Sequence, residues 1–245
     1  MKRKFLAFDI ETAAILTEAQ FQDWRSHRPL GMICAAAQQS DAAAPEIWDA
    51  RASSNDGAGA GSMSRQQVGD FLRYLQGMRE QGYTLLSWNG LGFDWEVIAD
   101  ESDDLDVCRA LALDHVDAMF HVHCDRGFPV ALARAAEGHR IAGKPADMSG
   151  VLAPQKWASG HYQEVIDYVA QDVHILLEVA NKSEELRSFR WKTQKGTVSS
   201  MPLPRGWLSV RDALQMPAPD TSWMSSPIPR ERFTEWLGGV ATRLT

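Results

Sequence analysis

From Phe5 to Glu11 apolar and polar positions alternate, which is the period of a β-strand. Leu6, Phe8 and Ile10 fall on one face, and Ala7, Asp9 and Glu11 on the other. The pattern predicts a second strand over residues 31–37 and a short third one over 46–49. Residues 52–64, rich in Ala, Gly, Ser and Asn, predict a mobile loop. Ser64 with Gln67 three positions on is a capping box. The helix it opens carries Val68, Phe71, Leu72, Leu75 and Met78 along one face, and Gly82 follows its end. Residues 84–88 predict a buried strand closed by the turn pair Asn89-Gly90. Helices are expected from near Phe93, over 104–113 and over 130–137, with a loop at 143–145. The long helix over 161–181 has the stripe Tyr162, Val165, Ile166, Val169, Val173, Leu176 and Leu177. Three early strands followed by alternating helix and strand predict an α/β fold with a mixed sheet. Past residue 192 the chain turns rich in Pro, Trp, Met and Ser. It predicts an extension over 186–245, packed on a domain of residues 1–185, with short helices near 207–215 and 229–237.

Composition narrows the class. No apolar run approaches the roughly 20 residues that span a bilayer. The basic start Met1-Lys2-Arg3-Lys4 is followed too soon by Asp9 to form a signal peptide, so residence in the cytoplasm is expected. Cys34, Cys108 and Cys124 form no CxxC pair, and an odd count without a secretion signal predicts reduced thiols. His115, His121, His123 and Cys124 cluster in sequence, but at no standard zinc spacing, and ordinary strand and loop positions explain them. The net charge of −7 is unevenly spread. Residues 182–245 hold ten Lys/Arg against six Asp/Glu, a net of +4, so the first 181 carry −11. An acidic body with a basic tail suits a carboxylate-rich cation site beside a phosphate-binding segment, and many unrelated proteins too.

Three clusters carry candidate chemistry. On a strand, Asp9 and Glu11 share one face, where two carboxylates repel unless a cation or a proton lies between them. A solvent-facing strand end would also carry such a pair. In Trp88-Asn89-Gly90-Leu91-Gly92-Phe93-Asp94 a buried strand ends in a turn and a carboxylate opens a helix; an acid there also suits the helix dipole. In Tyr168-Val169-Ala170-Gln171-Asp172 the tyrosine and the last aspartate lie on one helical face, four residues apart. Such a pair is common beside a core stripe.

In this order and spacing, the three clusters resemble the motifs of the DEDD exonuclease superfamily, and Tyr168 points to its DEDDy branch. The sister branch has a histidine where this chain has Asp167. The second cluster is most similar to that of the proofreading exonuclease domain of family-B DNA polymerases. The resemblance covers about residues 4–181, and 245 residues leave no room for a polymerase domain. It implies a ribonuclease-H-like fold, a mixed sheet flanked by helices, and hydrolysis of single-stranded DNA or RNA from the 3′ end to nucleoside 5′-monophosphates. It further implies two divalent cations about 4 Å apart, Mg²⁺ or Mn²⁺ given all-oxygen ligands. Asp9 should bridge both; Glu11 and Asp172 should hold the cation that activates water, and Asp94 should act through the second. Tyr168 should orient the attacking water. Thr12 should meet the terminal nucleotide, and Asn89 and Phe93 the next one. Trp88 and Trp95 are candidate stacking platforms, and Lys144 a candidate phosphate contact. No further small-molecule cofactor and no membrane are expected; a separate polymerase or repair partner is left open. Two rivals remain: an inactive nucleic-acid-binding module on the same fold, and a nuclease of other polarity such as an endonuclease.

Overall fold

The computed structural model describes residues 3–53, 61–143 and 150–238. In chain order its elements are β1 (Phe5–Thr12), α1 (Glu18–Gln22), β2 (Met32–Gln39), β3 (Glu46–Asp49), α2 (Arg65–Glu80) and β4 (Thr84–Ser87). Then come α3 (Asp94–Ser102), α4 (Leu105–Asp114), β5 (Val116–Asp117), α5 (Ala118–Arg126), α6 (Leu132–His139), α7 (Ala153–Ala158) and α8 (Tyr162–Leu186). The last are β6 (Ser188–Lys192), β7 (Val198–Pro202), α9 (Val210–Leu214) and α10 (Glu231–Thr234).

β1 is the middle of a five-stranded mixed sheet of order β3-β2-β1-β4-β5. It pairs antiparallel with β2 and parallel with β4. Both of its faces are covered, so Ala7 is as buried as Leu6 and Phe8. On one face Phe8 meets Phe71 of α2 at 6.5 Å and Trp95 of α3 at 5.0 Å. Across the other face runs α8, against β1 and β2. The capping box at Ser64 and Gln67 forms as the sequence predicts. The alternation thus reports the two faces correctly, while helices on both sides bury what a half-exposed strand would leave to water.

Several elements depart from the expectation. β5 has two residues, too few to show any period. α1, α5 and α7 have no counterpart in the sequence pattern; His121, His123 and Cys124 lie on α5, not on a strand or loop. α8 runs five residues past 181, to a left-handed cap at Arg187 (φ 49°). The segment after it is a β6–β7 hairpin, whose Ser-Phe-Arg-Trp-Lys alternation buries Phe189 and Trp191. α6 lies directly on this hairpin because residue 138 is glycine: a Cβ there would stand 2.4 Å from the Cα of Trp191. The loops expected at 52–64 and 143–145 fall largely outside the described residues, as does Lys144. Among the described residues no helix is long and apolar enough to cross a membrane.

The extension belongs to the core. Trp207 is buried, and its Nε1 donates to the carbonyl of Ala180 on α8 at 3.3 Å. His121 Nδ1 accepts the backbone N–H of Leu208 at 3.2 Å. Arg230 donates to the carbonyls of Met216, Pro217 and Cys124, at 2.8, 2.8 and 2.7 Å.

Candidate active site

Three segments far apart in sequence supply one cleft of about 190 Å³. Its lining includes Asp9, Glu11 and Thr12 from β1; Asn89, Phe93 and Asp94 from the turn after β4; and Tyr168 and Asp172 from α8. The four acids, Tyr168 and the three expected nucleotide contacts are therefore in one place. A hollow of about 140 Å³ adjoins it, sharing Asp9, Trp88 and Asp172 and adding Leu132 and Leu176. Two larger hollows lie against the extension, one beside α3 and one beside Trp24 and Arg25; in them Arg28 pairs with Asp100 and Glu96, and Arg25 with Glu96 and Glu235.

β1 delivers Asp9 and Glu11 in regular register, opposite Ala36 and Cys34 of β2. The register shifts only after Glu11: Thr12 faces Met32, which leaves Ile33 of β2 as the extra residue. Glu11 and Thr12 are each 7% exposed, and Glu11 faces Cys34 across the ladder. Burial raises the Cys34 thiol well above its usual range, and the charges of Glu11, Asp49 and Asp9 add to this. Cys34 stays a neutral thiol. On α8 the four-residue spacing places Tyr168 and Asp172 together, 9% and 7% exposed.

Asp94 is strongly perturbed. Burial pushes its carboxyl up to about 7; Asp117 adds to the rise, while hydrogen bonds from its own N–H, from the Asp9 side chain and from the Ile10 N–H oppose it. Two carboxyl groups in hydrogen-bond contact hold a proton between them unless a cation replaces it. Among the described residues, no three His, Cys, Asp or Glu side chains are drawn together as a bound cation would gather them. The donor set nonetheless suits a hard cation: it is all carboxylate oxygen, and Asp94 Oδ1 is buried without a hydrogen-bond partner.

The turn that presents Asn89, Phe93 and Asp94 is held by residues that lie outside the three motifs. Asn89 is left-handed (φ 70°). Its N–H and that of Leu91 both donate to the buried Asp117 carboxylate, at 3.0 and 2.9 Å. Burial raises Asp117 to about 6. Its place directly before a helix marks it as a cap, and it does accept the Phe120 N–H at 3.0 Å. The Phe93 ring is wedged between Phe21 (5.7 Å) and Trp24 (5.0 Å). From the extension, Trp236 Nε1 donates to the Leu91 carbonyl at 2.8 Å, and Arg109 donates to the Trp236 carbonyl. Phe233 comes so close to Gly92 that a Cβ there would stand 2.9 Å from its ring. No signal in the sequence ties residues 230–237 to this turn. Of the two candidate platforms, Trp88 lines the cleft. Trp95 does not: it is fully buried against Phe8 and His115.

No known protein family matches the sequence, and no curated protein sequence does. Solved structures do match. One is the family B DNA polymerase from the hyperthermophilic archaeon Pyrobaculum calidifontis, with a TM-score of 0.52 and 17% identity over 76% of this chain. The fold is ribonuclease-H-like. The match takes in 25% of the polymerase chain.

Proposed function

We propose that this chain is a metal-dependent 3′→5′ exonuclease of the DEDDy type, acting on single-stranded DNA or RNA ends. The observation that carries the proposal is the meeting of Asp9, Glu11, Asp94, Asp172 and Tyr168 in one cleft, from a strand, a turn and a helix. Carboxylates crowded in a buried cleft oppose one another electrostatically unless a cation or proton is supplied. A fold has little reason to bear that cost where no chemistry uses it.

Two divalent cations held there supply Lewis acidity for the attacking water and for the charge on the leaving oxygen. Asp9, Glu11, Asp94 and Asp172 hold them. Tyr168, through its hydroxyl, orients the attacking water and binds no cation. Thr12, Asn89 and Phe93 fix the last two nucleotides so that the scissile phosphate lies over the acids. The packing of Phe93 between Phe21 and Trp24 supports this role, since a rigid ring positions better than a mobile one. The site is expected to work in the cytoplasm without another cofactor.

The test is polarity and product. A 5′-labelled single strand should shorten stepwise from its 3′ end and release nucleoside 5′-monophosphates, while a circular single strand stays whole. Cutting of the circle would make the chain an endonuclease. Cation binding with no hydrolysis of any strand would make it a binding module.

A further inference from the structure

The trough does not stop at the carboxylates. The adjoining hollow reaches Trp88, Leu132 and Leu176. Trp88 is fixed there, its Nε1 donating to the Val130 carbonyl at 3.0 Å. From Leu132 the segment Phe128-Pro129-Val130-Ala131-Leu132 leads outward with no charged side chain; Pro129 and Ala131 are exposed, Phe128 and Leu132 half-buried. At about 3.3 Å per residue it spans on the order of 13 Å. At its outer end Phe128 meets Trp223, ring centroids 6.1 Å apart and 78° inclined. A second route of rings joins the same two ends beneath the surface: Phe128 meets Trp191 at 6.2 Å, Trp191 stacks on Phe189 at 5.5 Å, and Phe189 meets Trp88 at 6.0 Å.

Trp223 is 68% exposed, whereas each of the other eight tryptophans is buried or half-buried. Leaving so large a ring in water forgoes its burial energy. Nor is the ring loosely held. Its Nε1 donates to the Asp220 carbonyl at 3.1 Å, and the Ser222 N–H donates to the Asp220 carboxylate at 3.0 Å. Thr221 and Met224 rest on Gly127, where a Cβ would stand 2.4 Å from Thr221 Cγ2. Arg230 ties down the start of the segment through its bonds to the Met216 and Pro217 carbonyls. A fixed, solvent-facing indole at the end of an apolar floor is a surface on which a nucleic-acid base stacks. The arginines nearest in sequence are committed elsewhere, Arg126 to Asp125 and Arg134 to Glu137, so the surface offers a base its apolar floor and its ring.

We infer that residues 128–132 and Trp223 form a stacking ledge for the single strand behind the scissile end, with a base a few nucleotides upstream resting on Trp223. The inference rests on the nuclease reading of the cleft and extends it to a subsite built by the extension. The test is equilibrium binding of fluorescein-labelled oligothymidylate and oligouridylate, three and twelve nucleotides long, with Ca²⁺ present to limit cleavage. Trp223→Ala should raise Kd for the twelve-mers about 5- to 100-fold, leave the trimers within about twofold, and leave hydrolysis of trimers in Mg²⁺ unchanged; Trp223→Phe should recover most of the affinity. Weakening with only one of the two sugars would identify the strand the ledge accepts. A twelve-mer Kd within about twofold of wild type in Trp223→Ala overturns the ledge, whatever the cleft does. Wild-type protein that binds the twelve-mer through Trp223 and yet cleaves no end contradicts the nuclease reading and leaves the ledge standing.

Discussion

Asp94 and Asp9 are in hydrogen-bond contact in a cleft that also holds Glu11 and Asp172. Removing any one acid relieves repulsion, so its absence should harm activity and spare the fold. Asp9→Ala is expected to lower hydrolysis to background while thermal unfolding shows a Tm equal to or above that of wild type. Tyr168 should behave differently, because in the proposed mechanism it orients water and holds no cation. Tyr168→Phe should reduce kcat by about 10²–10⁴-fold, with Mn²⁺ affinity by calorimetric titration unchanged. A histidine behind the turn, outside the cleft, makes stability depend on pH. His115 bridges the Ser87 hydroxyl and the Ala112 carbonyl, and burial pushes it down to about 4. Only the unfolded chain takes up this proton between pH 6.5 and 4, so His115 removes stability as the pH falls through that window. The cost approaches about 1.4 kcal/mol per pH unit. Denaturant titrations across the window should show a shallower slope for His115→Gln than for wild type; parallel slopes would refute the assignment.

At the scale of elements, the extension braces the turn that offers Asn89 and Phe93. Trp236→Phe keeps an aromatic ring and removes the bond to Leu91, worth about 1 kcal/mol. Amide exchange over residues 89–93 should speed up, and KM should rise about fivefold, the kinetic equivalent of that bond, while kcat changes little, since α3 still anchors Asp94. The hairpin offers a second element-level prediction. Lys192 pairs with Glu137 of α6, and Arg190 and Lys195 are exposed. Phe189 of the hairpin meets Trp88 in the wall of the trough, while Lys192, paired at the far end of α6 from Leu132, stands on the order of 10 Å away along the helix axis, near one screening length at moderate salt. Changing Arg190, Lys192 and Lys195 together to Ala should weaken strand binding and flatten its salt slope by about 0.7 for each phosphate no longer neutralised. An unchanged slope would leave the hairpin a structural element alone. Periodicity reveals β1, α2 and α8, because each has enough residues to repeat a pattern. It is silent on β5, which has two, and on the bracing by Trp236, which depends on a hydrogen bond to a residue 145 positions earlier in the chain.

At the scale of the whole molecule, the sheet order β3-β2-β1-β4-β5 brings the two early motifs together, and α8 crosses β1 to complete the cleft. The residues that line the cleft are legible because motif order and spacing restrict them. Their supports, Asp117, Phe21, Trp24 and Phe233, are not, since a buried side chain that holds a turn looks like any core or cap residue in sequence. The body before residue 182 carries −11, a field that opposes a polyanion and that bound cations would weaken. Cation dependence is therefore the most direct test of the central claim. Matched time courses on end-labelled DNA and RNA oligonucleotides, with Mg²⁺, with Mn²⁺ and with EDTA, should show stepwise shortening from the 3′ end with either cation and none in EDTA. Equal cleavage in EDTA would contradict the account.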